Sequence, residues 1–111
     1  MTAYWMARAK INDYDEYMKY ATQIPAILPK YKGKILTRGG NHKTLEGRDY
    51  FERFVLIEFP SMDDAEAFFN SEEYKAAAAF RRRNGVGDNE LTIVEAGDLT
   101  GARRHLATRA S

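Results

Sequence analysis

The sequence contains no cysteine among its 111 residues, which excludes a disulfide frame, a thiolate nucleophile and a zinc–thiolate centre. Its two histidines, His42 and His105, are too few for a multi-histidine metal site. Net charge is almost absent as well. Seventeen Lys and Arg against sixteen Asp and Glu leave +1, so the field that would hold nucleic acid or an anionic membrane is missing. No stretch approaches the roughly 18 apolar residues of a membrane span, and Met1-Thr2-Ala3-Tyr4-Trp5 lacks a basic segment followed by a long apolar one. The expectation is a cytoplasmic protein with no metal, no cofactor, no nucleic-acid partner and no membrane partner. At 12.7 kDa one domain with one hydrophobic core is expected.

What is present is a clear alternation of strand and helix patterns. Tyr4, Trp5 and Met6 suit a half-buried pleated surface and mark a first strand over residues 3–9, ended by Asn12 and Asp13. Asp13 and Glu16 have capping-box spacing, and Tyr14, Tyr17, Met18, Ala21, Ile24 and Leu28 recur at helical spacing. Pro25 should kink or restart that helix from a first-turn position, and Pro29 and Gly33 should close it. A second strand covers 34–38. Gly39-Gly40 is expected to make a bulge or a close backbone approach, with pairing resumed over 42–46 and a turn at Gly47-Arg48-Asp49.

The third strand, 52–59, runs through Phe54-Val55-Leu56-Ile57-Glu58-Phe59 and halts at Pro60-Ser61. Ser61 is the N-cap candidate for a helix whose first turns carry Asp63, Asp64 and Glu66, a position that accounts for these acids without a metal. Asn70-Ser71 breaks it. A second helix follows with Tyr74, Ala77, Ala78 and Phe80 as its apolar stripe, and Arg81-Arg82-Arg83 meets its negative end. Residues 84–89 read as a loop and 91–95 as the last strand. The order is α+β and ferredoxin-like, βαββαβ with a four-stranded antiparallel sheet over 1–97. The tail, 98–111, is expected to be mobile or to cross onto a partner.

Alternation divides each strand into two faces. One carries Ala3, Trp5, Ala7, Ile35, Thr37, Gly39, Val55, Ile57, Phe59, Thr92 and Val94. The other carries Tyr4, Met6, Arg8, Leu36, Arg38, Phe54, Leu56, Glu58, Leu91, Ile93 and Glu95. Helices cover only one face of such a sheet, so the second is expected to pack on a second copy, giving a homodimer through sheet faces. Taking the first and third strands as parallel neighbours places Arg8 beside Glu58. That pair reads as structural, or alternatively makes Glu58 a proton donor or acceptor.

Arg38-Gly39-Gly40 is the strongest local candidate for a ligand: an Arg fork matches a carboxylate, and adjacent glycines leave backbone N–H groups approachable. The competing reading pairs Arg38 with Glu95 or a partner subunit. His42, just beyond, has a side chain suited to acid–base chemistry, or is simply solvated. Tyr4, Tyr17 and Tyr74 are candidates for a pocket wall, or are core. Arg81-Arg82-Arg83 splays around a helix axis and is better explained by capping and solvation. No nucleophile–base pair is visible.

Ala3-Tyr4-Trp5-Met6-Ala7-Arg8, Lys30-Tyr31-Lys32-Gly33-Lys34, Arg38-Gly39-Gly40, Leu45-Glu46-Gly47, Ile57-Glu58-Phe59-Pro60-Ser61, Asn70-Ser71-Glu72-Glu73-Tyr74 and Ile93-Val94-Glu95 stand in an order and spacing with a family likeness. Together they resemble the bacterial domain-of-unknown-function family thirteen-thirty, within the dimeric α+β barrel superfamily. The resemblance implies a ferredoxin-like subunit whose sheet packs on its twin. The superfamily includes cofactor-independent monooxygenases, isomerases of small acids and haem-handling enzymes. The haem branch is disfavoured because neither histidine falls on a predicted helix facing the sheet. Gly85-Val86-Gly87 and the basic tail depart from the pattern.

The expected function is that of a dimer binding a small carboxylate or aromatic metabolite between sheet and helices, with Arg38 orienting the anion. If the protein is an enzyme, Glu58 or His42 moves a proton. The alternative is a non-catalytic dimeric binding or accessory module.

Overall fold

The structure, a computed structural model, describes residues 1–98. The expected tail lies outside the described residues except for Asp98. The order is β1 (Ala3–Ile11), α1 (Tyr14–Ala21), α2 (Ile24–Ile27), a 3-10 turn (Leu28–Tyr31), β2 (Lys34–Arg38), β3 (Arg53–Phe59), α3 (Met62–Asn70), α4 (Glu72–Arg81) and β4 (Gly87–Glu95). The strands form one sheet in the order β2-β3-β1-β4, and every neighbouring pair is antiparallel. This is the ferredoxin-like α+β fold.

Local chemistry sets the helix boundaries. Asp13 Oδ1 accepts the Glu16 N–H at 3.2 Å, while the Asp13 N–H is taken by the Val86 carbonyl at 3.0 Å. Only half of the capping box therefore forms. Pro25 occupies the first turn of α2, where its missing N–H costs nothing. Ser61 Oγ accepts from Asp64 N, and Ser71 Oγ accepts from Tyr74 N, both at 3.1 Å, so each of α3 and α4 has a side-chain cap of the kind worth about 1 kcal/mol.

The helices cover one face of the sheet, and the core lies between. Trp5 stands at its centre, edge-on to Phe68 and Tyr74 with ring centroids 5.1 and 5.4 Å away. Ile57 and Phe59 of β3 and Tyr17 and Leu28 from the first helical layer are buried around it. Gly33 is required at the turn into β2: a Cβ there would lie 2.6 Å from Leu28 Cδ2 and 2.9 Å from Phe59 Cε1.

Several expectations are corrected. β1 and β3 are antiparallel, with Arg8 opposite Phe54 and Glu58 opposite Tyr4, so Arg8 and Glu58 are four residue steps apart, about 14 Å. They do not pair. In β4 the faces are exchanged: Ile93 lies opposite Trp5 and Leu91 opposite Ala7 under the helices, while Thr92 and Val94 face outward. The β2 bulge falls at Leu36, between the Ile35–Ile57 and Thr37–Leu56 pairs, and not at the glycines. It reverses the faces beyond it. Thr37 is carried to the open face, and Arg38 joins the helix side opposite Val55. Residues 42–46 form no strand and are exposed, having no neighbouring strand to pair with. β4 begins at Gly87, ahead of the expected 91, because β1 runs on to Ile11 and offers Asp88 and Asn89 a paired edge. Tertiary pairing overrides the weak strand propensity of those polar residues.

Candidate functional site

The sequence-derived candidates occupy separate places. Glu58 and Tyr4 lie side by side on the open face; Glu58 is half-buried, with Lys34 across β2, and makes no ion pair among the described residues. Arg8 lies toward the other end of that face. Its Nε and Nη2 donate to Glu90 Oε1 at 2.9 and 2.7 Å, and its guanidinium covers the Phe51 ring at 4.2 Å. His42 is exposed on the following loop, 4.8 Å from the Phe54 ring, and shares a shallow cleft with Arg8. Arg38 and Gly39 line a cleft on the opposite side of the sheet, beside α1, with Gly40 next to them in a left-handed conformation. Arg38 Nη1 donates to the Ala21 carbonyl at 3.0 Å and reaches neither Glu95 nor any other acid among the described residues. Tyr17 and Tyr74 are buried in the core. Glu58 and His42 are thus separated from Arg38 by the sheet itself.

The sheet–helix interior contains a residue that the sequence reading set aside. Arg81 turns inward and is 9% exposed, because Tyr74, Ala77, Ala78 and Arg81 recur at helical spacing on the buried face of α4. That spacing was the available signal. Its Nη2 donates to Tyr74 Oη at 2.9 Å, Tyr74 Oη lies 3.3 Å from Tyr20 Oη, and the guanidinium stands 5.0 Å from the Tyr20 ring centroid. Burial works against the Arg81 charge, but the phenol oxygens of Tyr74 and Tyr20 outweigh it and hold its pKa above the ordinary value. Burial, reinforced by Tyr74, pushes the Tyr20 phenol well up, so this hydroxyl stays protonated.

The polar inventory of this cluster is unbalanced. Two phenols share one hydrogen bond, which leaves one O–H proton without an acceptor among the described residues. Arg81 Nε is buried and also has no protein partner. No carboxylate pairs with Arg81 among the described residues. A desolvated cation surrounded by spare donors is costly unless an acceptor reaches it.

Arg81 borders a cleft of about 510 Å³ between β1, β4 and the α3–α4 pair. Trp5, Phe69, Leu91 and Ile93 supply its apolar wall, and Arg82, Asn89 and Glu66 its polar rim. Arg82 is exposed and lies 5.7 Å from the Phe69 ring centroid. Asn89 Nδ2 donates to Tyr17 Oη at 3.1 Å, and its buried Oδ1 is unpartnered. The size and the mixture of aromatic wall and few polar groups suit a small organic molecule. Among the described residues no three His, Asp or Glu gather as metal ligands. No helix there is long and apolar enough to cross a membrane.

Residues 2–96 match the family described as Domain of unknown function (DUF1330), and the chain belongs to that family. No curated protein matches it. Among solved structures, a dimeric ferredoxin-like protein of unknown function from Jannaschia sp. CCS1 is similar at a TM-score of 0.71 and 14% identity, covering 86% of this chain and 100% of that one. A protein of unknown function from Rhodopseudomonas palustris is similar at 0.70 and 14% identity, over 87% of this chain and 83% of that one. SnoaB, a cofactor-independent oxygenase from Streptomyces nogalater, is similar at 0.56 and 14% identity, over 87% and 94%. At such identities the likeness is one of fold.

Proposed function

We propose that this protein is a homodimer, each subunit of which binds a small carboxylate with an aromatic or apolar body in the cleft beside Arg81. The observation that carries this reading is the buried Arg81 guanidinium, whose Nε has no partner and which no acid neutralises among the described residues. A carboxylate accepting from Arg81 would balance both deficits, with its body against Trp5 and Phe69. Arg81 takes the anion-orienting role first given to Arg38. Dimerisation through the open sheet face is supported by the exposed Met6, Leu36 and Val94 there, at 49%, 43% and 43%. It is also supported by the dimeric description of the Jannaschia relative. Among the described residues the cleft holds no paired base or nucleophile, so the activity put forward is binding. Glu58 and His42, across the sheet, take no part in it.

A thermal-shift series with benzoate, 4-hydroxybenzoate and cinnamate, on wild type and Arg81→Met, tests the reading. At ten times Kd an occupied site adds about 1.4 kcal/mol, a rise of roughly 6–11 °C in Tm. The rise is expected in wild type and absent in Arg81→Met. No rise with any acid, or an equal rise in the variant, would overturn the assignment.

A further inference from the structure

Arg38-Gly39-Gly40 is left outside that cleft, and the structure gives it a different neighbour. Arg38 lies opposite Val55, so Arg53, two residues back on the same face of β3, is its diagonal neighbour at about 7–8 Å between Cα atoms. Both arginines line one cleft of about 580 Å³ against α1, with Tyr14 and Met18 on the facing wall. Two like charges lining one cleft repel each other unless something of opposite sign lies between them. Neither arginine has an acidic partner among the described residues.

Glu52, the acid among the residues lining this cleft, is already engaged. Glu52 Oε1 accepts the Ile11 N–H at 2.8 Å, and Oε2 lies 3.5 Å from Lys10 Nζ. Arg53 stacks on the Tyr17 ring at 5.5 Å, which leaves its buried Nε without a partner. Arg38 is held by its bond to the last turn of α1, through Ala21 O, and that bond uses one terminal nitrogen of its fork. Both guanidiniums are therefore fixed by the protein while keeping unused donors, a preorganised arrangement for an oxyanion.

We propose that this second cleft binds a small dianion bridging Arg38 and Arg53, a phosphate group or a dicarboxylate. Two guanidiniums on one cleft are matched by two negative charges better than by the single charge of a monocarboxylate. This site stands independently of the Arg81 reading.

The test is a two-dimensional amide and Arg Nε–H NMR titration of the full chain with inorganic phosphate, succinate, benzoate and chloride. Saturable shifts at Arg38, Arg53 and Gly39 with phosphate, succinate or both are expected, and the stronger of the two identifies the oxyanion. Benzoate and chloride should leave these resonances unmoved. Arg38→Met, at an exposed position, should weaken dianion binding at least tenfold, Arg38→Lys should weaken it less, and Arg81→Met should leave it unchanged. Failure to saturate with either dianion, equal response to chloride, or unaltered affinity in Arg38→Met would overturn the proposal. Arg53→Met provides a second variant with the same expected loss.

Discussion

Arg81 is a permanent charge removed from water and held by the Tyr74 phenol oxygen, itself beside Tyr20 Oη, and by the Tyr20 ring face instead of a carboxylate. Such a group is stable only while its hydrogen-bond partners stay in place. Tyr20 carries the measurable consequence. Its ordinary pKa of 10.0 is raised by burial and by Tyr74. The folded state therefore keeps a proton that the unfolded state releases, and the stabilisation is complete below pH 10 and is lost as pH rises beyond it. Each pH unit above 10 should remove about 1.4 kcal/mol through this one group. Urea unfolding from pH 9 to 11 should show a steeper fall for wild type than for Tyr20→Phe; identical slopes would mean that the phenol is not buried as described. The residue scale is also where the sequence was least legible. Arg81 sits among three consecutive arginines that look alike as letters. Only the spacing from Tyr74 and Ala78 separates the inward one from its neighbours, and a charged residue on that stripe contradicts the usual expectation for a core position.

Elements were legible wherever a turn residue or an apolar period decided them. Ser61 and Pro25 mark helix starts by local chemistry, and the structure places both in that role; Ser71, read only as part of a helix break, also caps α4. Strand direction and register were not local properties. The placing of Arg8 beside Glu58 required a parallel pair, whereas a strand returning between two others joined by a crossover must run antiparallel to both. One bulge at Leu36 moved Arg38 to the helix side, since a single-residue slip exchanges faces. Close packing at strand starts gives a sharp test. Gly87 lies opposite Ile11, and a Cβ at Gly87 would meet the Lys10 carbonyl oxygen at 2.4 Å, a backbone atom that cannot swing away. Gly87→Ala should cost on the order of 1–3 kcal/mol in chemical denaturation. Gly85→Ala meets no neighbouring atom but is strained by its left-handed backbone, φ +84°, and should cost about 1 kcal/mol. A Gly87→Ala variant as stable as wild type would show that the start of β4 pairs otherwise.

For the whole molecule, one sheet separates two tasks. The covered face holds the core and both arginine clefts, and the open face is the one proposed to pack on a second copy. The fold was readable from apolar alternation over whole strands and the family from the resemblance of its motifs, whereas the division of faces was read correctly in β1 and β3 but not in β4 or beyond the β2 bulge. The location of the proposed ligand cleft depended on which side chains turn inward, which alternation does not fix. Leu56→Arg, on the open face, should convert the expected dimer to a 12.7 kDa monomer in sedimentation while leaving the acid-induced rise in Tm intact. A wild-type mass that stays monomeric at all concentrations would remove the dimer and leave the cleft standing. The most direct measurement on the central claim is the Arg Nε–H resonance of Arg81 during titration with benzoate. A saturable downfield shift at Arg81, with the Arg38 and Arg53 resonances unmoved, is the expected result. Saturable benzoate binding that leaves the Arg81 resonance in place would contradict it.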